Sequence, residues 1–432
     1  MRPNEKTVQQ IPGLELPGGE AVGYLNMKTN PFRALRPAPE VAARLAAVPY
    51  DVVDTAEARA LAAGNPDSFL HVSRPEIDLP DGTDPHADAV YAQGAAALRA
   101  LIARGSLIRE AAPRYYVYRQ TMGAHSQTGV VACCHIDDYA ADIIRKHEKT
   151  RQDKEDDRTR HALTLKANSG PVFLTYRDTS VLNALMDGVT ATAPLYDFTA
   201  SDSVRHTVWR GAGDPGPWRA AFEAVPLAYV ADGHHRAKAA FRAGAERRAA
   251  NPRHTGQEEY NWFLAVLFPQ SHLRILPYNR CVADLNGLTP EVFLKRVGEV
   301  FDVTPTTAPA PDAPRQTHMY LAGRWYRLAW APFDADPVAV LDVSVLQDRL
   351  LQPILGIDDP RTSTRISFVG GIRGTGELVR RVDSGREAVA FSMYPCTVQQ
   401  MMDIADAGQI MPPKSTWFEP KLRSGLLVHE LG

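Results

Sequence analysis

The stretch "PLAYVADGHHRAKAAFRAG", residues 226–244, constrains the fold more than any other part of the chain. Its first half, "LAYVA", is apolar and suits a buried strand, and its second, "HRAKAAFRA", is built from good helix formers. Only Asp232 and Gly233 separate the two, so the connection is a tight turn in which Gly233 is free to adopt a positive φ and to let another group approach the backbone. A helix that starts at such a turn leaves its first N–H groups unpaired, where they and the positive end of the helix dipole attract anions. Arg236 adds a planar fork suited to phosphate oxygens. His234 and His235 are adjacent, about 100° apart on a helix, so they do not serve one metal or one face together. One is expected to face a ligand while the other packs. The alternative for this segment is an N-capping Asp232 followed by polar residues on an exposed first turn.

The chain has 432 residues, enough for about two or three domains. Hydrophobic residues make up 44% and charged residues 23%, the balance of a soluble globular protein. A formal net charge of −2 gives no global attraction for nucleic acid or anionic lipid. The four cysteines form no CxxC pair or spaced framework, which fits a reducing, cytoplasmic setting. No run of about 18 apolar residues and no export signal occurs, so no membrane span is expected. "RYYVYRQT", "QTGVVACCHI", "GPVFLTY" and "YNWFLAVLFP" suggest strands, and "HMYLAGRWYRLAW" a hairpin around Ala322 and Gly323. The expected fold class is α/β (α+β) with a mixed sheet. Its organisation is a flexible extension over residues 1–26, an α/β region over 27–303, a proline-rich linker over 304–317 and a further α/β region over 318–432. Whether translation starts at Met1 or Met27 is left open.

A second constellation is "KHEKTR", residues 146–151. HExxH requires a histidine where Arg151 stands, so a zinc-protease motif is excluded. Continued on a helix, His147, Arg151, Lys154, Arg158 and His161 would form one basic stripe, able to meet phosphates or to be a solvated, ion-paired face. Glu148 sits beside that stripe and is the best carboxylate in the chain for a general base. "IMPPKSTWFEPKLRSGLL" offers Lys414, Ser415, Thr416, Lys421 and Arg423, and "FVGGIRGTGEL" a glycine-rich loop; neither is a Walker A or a GxGxxG fingerprint. Both segments are read as lining a polyphosphate site or as ordinary turns. His71, Arg74 and Glu76 form a further polar group after a helix stop. There is no GxSxG elbow, and Cys133 and Cys134 lie in an apolar strand, so acyl transfer has little support.

With these segments in view, "PFRALRP", "VPYDVVDTAEARALAAGNPDSFLHVSRPEIDLP", "IIRKHEKTRQDKEDDRTRH", "YVADGHHRAKAA", "ILGIDDPRT" and "MPPKSTWFEPKLRSGL" resemble the family catalogued as domain of unknown function 1015. The resemblance covers about residues 31–425. The "DGHHR" element is also similar to the phosphate box of the ParB and sulfiredoxin superfamily, in which free-serine kinases carry an Asp-Gly-x-His-Arg element and an upstream glutamate base. This implies a ParB/sulfiredoxin-like core with an additional C-terminal α/β region. It implies that Asp232, Gly233, His234, His235 and Arg236 form the phosphate and metal region, with Asp232 bearing Mg²⁺. Glu148 would be the base, and Lys146, Arg151 and Lys414 would offset charge on the nucleotide. The implied activity is an ATP- or ADP-dependent phosphotransferase, with free L-serine as acceptor and O-phosphoserine as product. The alternative is a non-catalytic nucleotide sensor of the same superfamily. The implied partners are a nucleotide and a small amino acid substrate, with no nucleic acid and no membrane; a homodimer is left open. The sulfiredoxin reaction needs a cysteine where His234 and His235 stand.

Overall fold

In "GPVFLTY" every residue from Val172 to Tyr176 is buried, and the strand sends alternate side chains to two different cores. Val172, Leu174 and Tyr176 face one side with Val130, Ala132, Ala265 and Leu267, whereas Phe173 faces the other with Val131, Cys133, Val266 and Phe268. A strand covered on both faces reads as a continuous apolar run, which is why these segments were legible as strands. A computed structural model describes residues 26–333 and 335–432. The extension expected over residues 1–26 lies outside them but for its last residue.

The central sheet is mixed and has nine strands. Its order is Ile144–Arg145, Ala228–Asp232, Val172–Tyr176, Trp262–Pro269, His125–His135, Tyr116–Met122, Arg205–Arg210 and Tyr196–Thr199, with Thr29–Asn30 also paired to His125–His135. Two pairings are parallel, Ile144–Arg145 with Ala228–Asp232 and Val172–Tyr176 with Trp262–Pro269. The rest are antiparallel, including the hairpin from Tyr116–Met122 to His125–His135, both expected as strands. Helices Ile136–Ala140, Ser180–Thr190, Gly216–Glu223 and His234–Ala250 cover one face.

The C-terminal half covers the other face. It is built on an antiparallel six-stranded sheet in the order Asp302–Thr306, Arg324–Ala329, Gln316–Leu321, Val389–Met393, Tyr278–Val282, Ile366–Gly370. The proline-rich residues 304–317 fall inside this sheet, joining Asp302–Thr306 to Gln316–Leu321, and the sheet draws its strand Tyr278–Val282 from before them. One apolar cluster runs from Phe173, Tyr229 and Phe268 of the central sheet to Val282, Phe391, Phe418 and Leu422. Arg423 reaches into the central sheet as well, where its Nε lies 3.3 Å from His206 Nε2, while His206 Nδ1 meets the Tyr118 hydroxyl at 2.7 Å. No helix among the described residues is long and apolar enough to cross a membrane.

A Cβ on Gly244, inside helix His234–Ala250, would lie 2.4 Å from the Tyr260 carbonyl oxygen and 2.8 Å from Ile136 Cδ1. Gly244→Ala should therefore lower the melting temperature, because overpacking costs about 1–3 kcal/mol and outweighs the roughly 1 kcal/mol that alanine gains in helix propensity. A raised melting temperature would show that the helix does not sit this close. Burial, with Arg423 adding to it, pushes the His206 imidazole down to about 3. The folded state thus holds His206 neutral while the unfolded chain binds a proton, so its contribution is present above about pH 6.5 and is lost as pH falls from there toward 3. His206→Gln should flatten the slope of melting temperature against pH across that window, measured by differential scanning calorimetry.

Candidate functional site

Ile144–Arg145 runs parallel to Ala228–Asp232 with Ile144 opposite Ala228 and Arg145 opposite Tyr229. Two chains that leave a sheet edge in one direction and in matched register keep their next residues abreast. This carries His147 and Glu148 to the end of the strand where Asp232 and the helix turn lie. The basic stripe expected on one helix does not form. Residues 146–151 belong to no strand or helix, and the helix Gln152–Leu165 begins only after Arg151, which has extended backbone angles. The stripe's members scatter accordingly. Arg151 is exposed and pairs with Asp153 at 2.9 Å. Arg158 pairs with Asp157 and lies over the Tyr50 ring. His161 is buried, with Nε2 2.9 Å from the Val72 carbonyl oxygen.

The opening turn takes the expected form. Gly233 has φ +91° and is the N-cap of helix His234–Ala250, with no side chain capping the first turn. Asp232 is therefore not spent as a cap. Its carboxylate accepts from Arg236 Nη2 at 3.2 Å and from Lys421 Nζ at 3.3 Å. Burial alone would raise the Asp232 carboxyl, but Lys421 and Arg236 outweigh it and hold the group below the usual carboxylate range. Arg236 also donates to the Pro171 carbonyl. It is a buried brace for Asp232, and its fork is not presented to an outside anion as the sequence had suggested. A Cβ at position 233 would stand 3.0 Å from the guanidinium carbon, so glycine is required here by both φ and space.

Glu148 and Asp232 line one cavity of about 340 Å³. The segment around residues 411–421 closes it, anchored by the Met411 N–H to the His147 carbonyl at 2.9 Å and by Trp417–Phe418 pairing with Ile275–Leu276. Lys414, Thr416, Trp417 and Lys421 of that segment face the cavity, with Tyr278, Phe368 and Arg373 from the C-terminal sheet and its glycine-rich loop. Burial raises the Glu148 carboxyl and Asp232 adds to this, against Lys414 and Lys421. The two carboxyls are thus pushed apart: Asp232 is held ionised, and Glu148 is the weaker acid and the better proton acceptor. Burial would lower Lys414, yet Tyr278 and Glu148 raise it, so it stays a cation.

Of the residues singled out in the sequence, Glu148, Asp232, Gly233, His234, Arg236 and Lys414 come together here. Lys146 does not; its Nζ pairs with Asp142 at 2.7 Å and donates to the Tyr139 carbonyl. Arg151 points to solvent, and His235 turns away to accept the Arg151 backbone N–H at 3.1 Å. His234 packs inward against the His147 ring. His71 and Arg74 belong elsewhere, paired with Asp78 and Glu76. Sequence reasoning missed Asp51 and Tyr278, which also line the cavity. Asp51, an acid inside the apolar "VPYDVV", was the available signal; Tyr278 had none.

Gly233→Ala should be distinctly more destabilising than Gly213→Ala. Both glycines have positive φ, but Gly213 has open space where a Cβ would go, whereas Gly233 has the Arg236 guanidinium. Gly213→Ala would cost about 1–2 kcal/mol of backbone strain and Gly233→Ala more than that, measured by urea unfolding. Equal costs would show that Arg236 is not folded over the turn.

Comparison with curated proteins gave no match. Among solved structures, the chain is similar to a free serine kinase in complex with AMP, at 10% identity and TM-score 0.34 over 69% of this chain and 91% of that one. It is also similar to SbnI with a C-terminal truncation from Staphylococcus aureus, at 13% identity and TM-score 0.36 over 69% and 86%. A conserved hypothetical protein from Pyrococcus furiosus is similar at 11% identity and TM-score 0.33 over 69% and 94%. The model of the family described as Protein of unknown function (DUF1015) matches residues 29–344, and the chain belongs to that family.

Proposed function

We propose that this protein is a nucleotide-dependent small-molecule phosphotransferase, with free L-serine as acceptor and ATP or ADP as donor. The observation that carries the reading is the pairing of Glu148 with Asp232 at an uncapped helix start, in one cavity with Lys414 and Lys421. Phosphoryl transfer is mostly positioning and charge neutralisation, and these groups are of the kinds it uses. The unpaired N–H groups of the helix start and the two lysines would hold the phosphates. Glu148 would accept the proton of the acceptor hydroxyl as its oxygen bonds to the terminal phosphorus and the nucleotide leaves with the bridging oxygen. Serine as acceptor is taken from the resemblance of the Asp-Gly-x-His-Arg element to that of free-serine kinases.

Mg²⁺ fits the donor chemistry present, because Asp232 is an ionised oxygen ligand that is 29% exposed and faces the cavity. Bound there, Mg²⁺ would neutralise polyphosphate charge. Lys421 now occupies one Asp232 oxygen and would shift toward the phosphates when the cation enters.

Incubated with serine, Mg²⁺ and ATP or ADP, the purified protein should yield O-phosphoserine by mass spectrometry. Asp232→Ala should abolish turnover, and Glu148→Gln should lower kcat by about 10²–10⁴-fold, the usual worth of a general base. Absence of product across nucleotides and hydroxyl amino acids removes this reading. Calorimetric nucleotide binding without turnover would replace it with the sensing role.

A further inference from the structure

The phosphate reading uses one oxygen of Glu148 and gives His147 and His234 no role. A Glu148 carboxylate oxygen lies 3.8 Å from His234 Nδ1, and the His234 ring meets the His147 ring edge to face, with centroids 4.5 Å apart and planes at 88°. One donor atom from each of His147, Glu148 and His234 lies within 4.8 Å of the others. Both imidazoles are buried, at 2% and 5% exposure. Each keeps a buried ring nitrogen with no hydrogen-bond partner, Nδ1 of His147 and Nε2 of His234. On His234 the nitrogen that faces Glu148 is Nδ1, so a cation held among the three residues would be bound there, in a spot where two largely buried rings and a carboxylate already converge.

We propose that His147, Glu148 and His234 bind one divalent transition-metal cation of the Zn²⁺ type, at a site separate from the Mg²⁺ assigned to Asp232. The donor set makes the choice of metal. Imidazole nitrogen suits zinc, iron, cobalt and nickel, whereas Mg²⁺ and Ca²⁺ favour oxygen ligands. Two imidazoles and one carboxylate also leave a coordination position open, as sites that bind a water or a substrate oxygen do. That position faces the cavity, which His147 and Glu148 both line. Ligand atoms around a tetrahedral zinc stand roughly 3.3 Å apart, so the three groups must draw in by about an ångström or more. Glu148, with 42% of its side chain exposed, has room to do so. The second nitrogen of His147 faces Thr416 Oγ1 at 3.5 Å, where an outer contact can orient the ring. His235 takes no part, since it is turned to the Arg151 backbone.

The test reads binding alone, so it stands apart from whether phosphate is transferred. Tag-free, full-length protein stripped with a chelator is titrated with Co²⁺ by calorimetry and visible absorption. One Co²⁺ per chain with a visible d–d band is expected, and a large excess of Mg²⁺ should leave the band in place. His147→Ala and His234→Ala should each weaken Co²⁺ binding by on the order of 100-fold or more, at or above what loss of an outer-shell partner costs. His254→Ala, in a histidine–glutamate pair elsewhere on the protein, should change nothing. No band in the wild type, displacement by Mg²⁺, or wild-type affinity in both histidine variants overturns the proposal. If a histidine variant fails to fold by circular dichroism, Glu148→Gln decides: weakened Co²⁺ binding supports the site, and unchanged binding overturns it.

Discussion

The site depends on two residues of parallel pairing. Ile144–Arg145 is a short edge strand, yet its register against Ala228–Asp232 is what delivers Glu148 to Asp232 across many intervening residues of chain. A slip of one residue would turn every side chain beyond it to the opposite face and take Glu148 out of the cavity. Edge strands are the least constrained part of a sheet, so the register needs outside support. The Met411 N–H bonded to the His147 carbonyl gives one such tie, and Arg145 paired with Asp406 at 2.7 Å gives another.

Electrostatics then divides the work between two neighbouring carboxyls. Asp232 has two cations within 3.3 Å and Glu148 has none that close, so similar burial yields opposite outcomes. Arg236 is central to this and is fixed by sequence-local geometry. It follows Asp232 by one helical turn, and the missing Cβ of Gly233 lets its guanidinium fold back over the turn. The imidazole of His234 is meanwhile forced inward, because the first helical turn packs against the loop that carries His147.

Much of the fold was legible because it rests on local period. Val172–Tyr176, Trp262–Pro269 and the hairpin over Tyr116–Met122 and His125–His135 show the apolar runs of doubly covered strands, and the Asp232-Gly233 turn follows from Gly233. The stretch over residues 146–151 was not legible. Two residues of edge strand leave no periodic trace, so the helical reading ran through a segment that belongs to no regular element. The histidine beside His147 was not legible either: HExxH places its second histidine one turn on along the same helix, whereas His234 arrives from another element. Arg236 was read as a phosphate contact because its planar fork suits phosphate oxygens, whereas in the fold that fork is taken up by Asp232 and the Pro171 carbonyl. Lys414 was found from its polar segment between prolines and aromatics, although only the tertiary fold brings it into one cavity with Glu148.

The segment around residues 411–421 forms a wall of the cavity and supplies both of its lysines. The hold on it at the His147 end is a backbone hydrogen bond from Met411. If this wall swung away, Asp232 would keep Arg236 but lose Lys421, and Glu148 would open to bulk water. The charge balance between the two carboxyls is therefore a property of how the wall is docked, and not of the strand and helix that carry them.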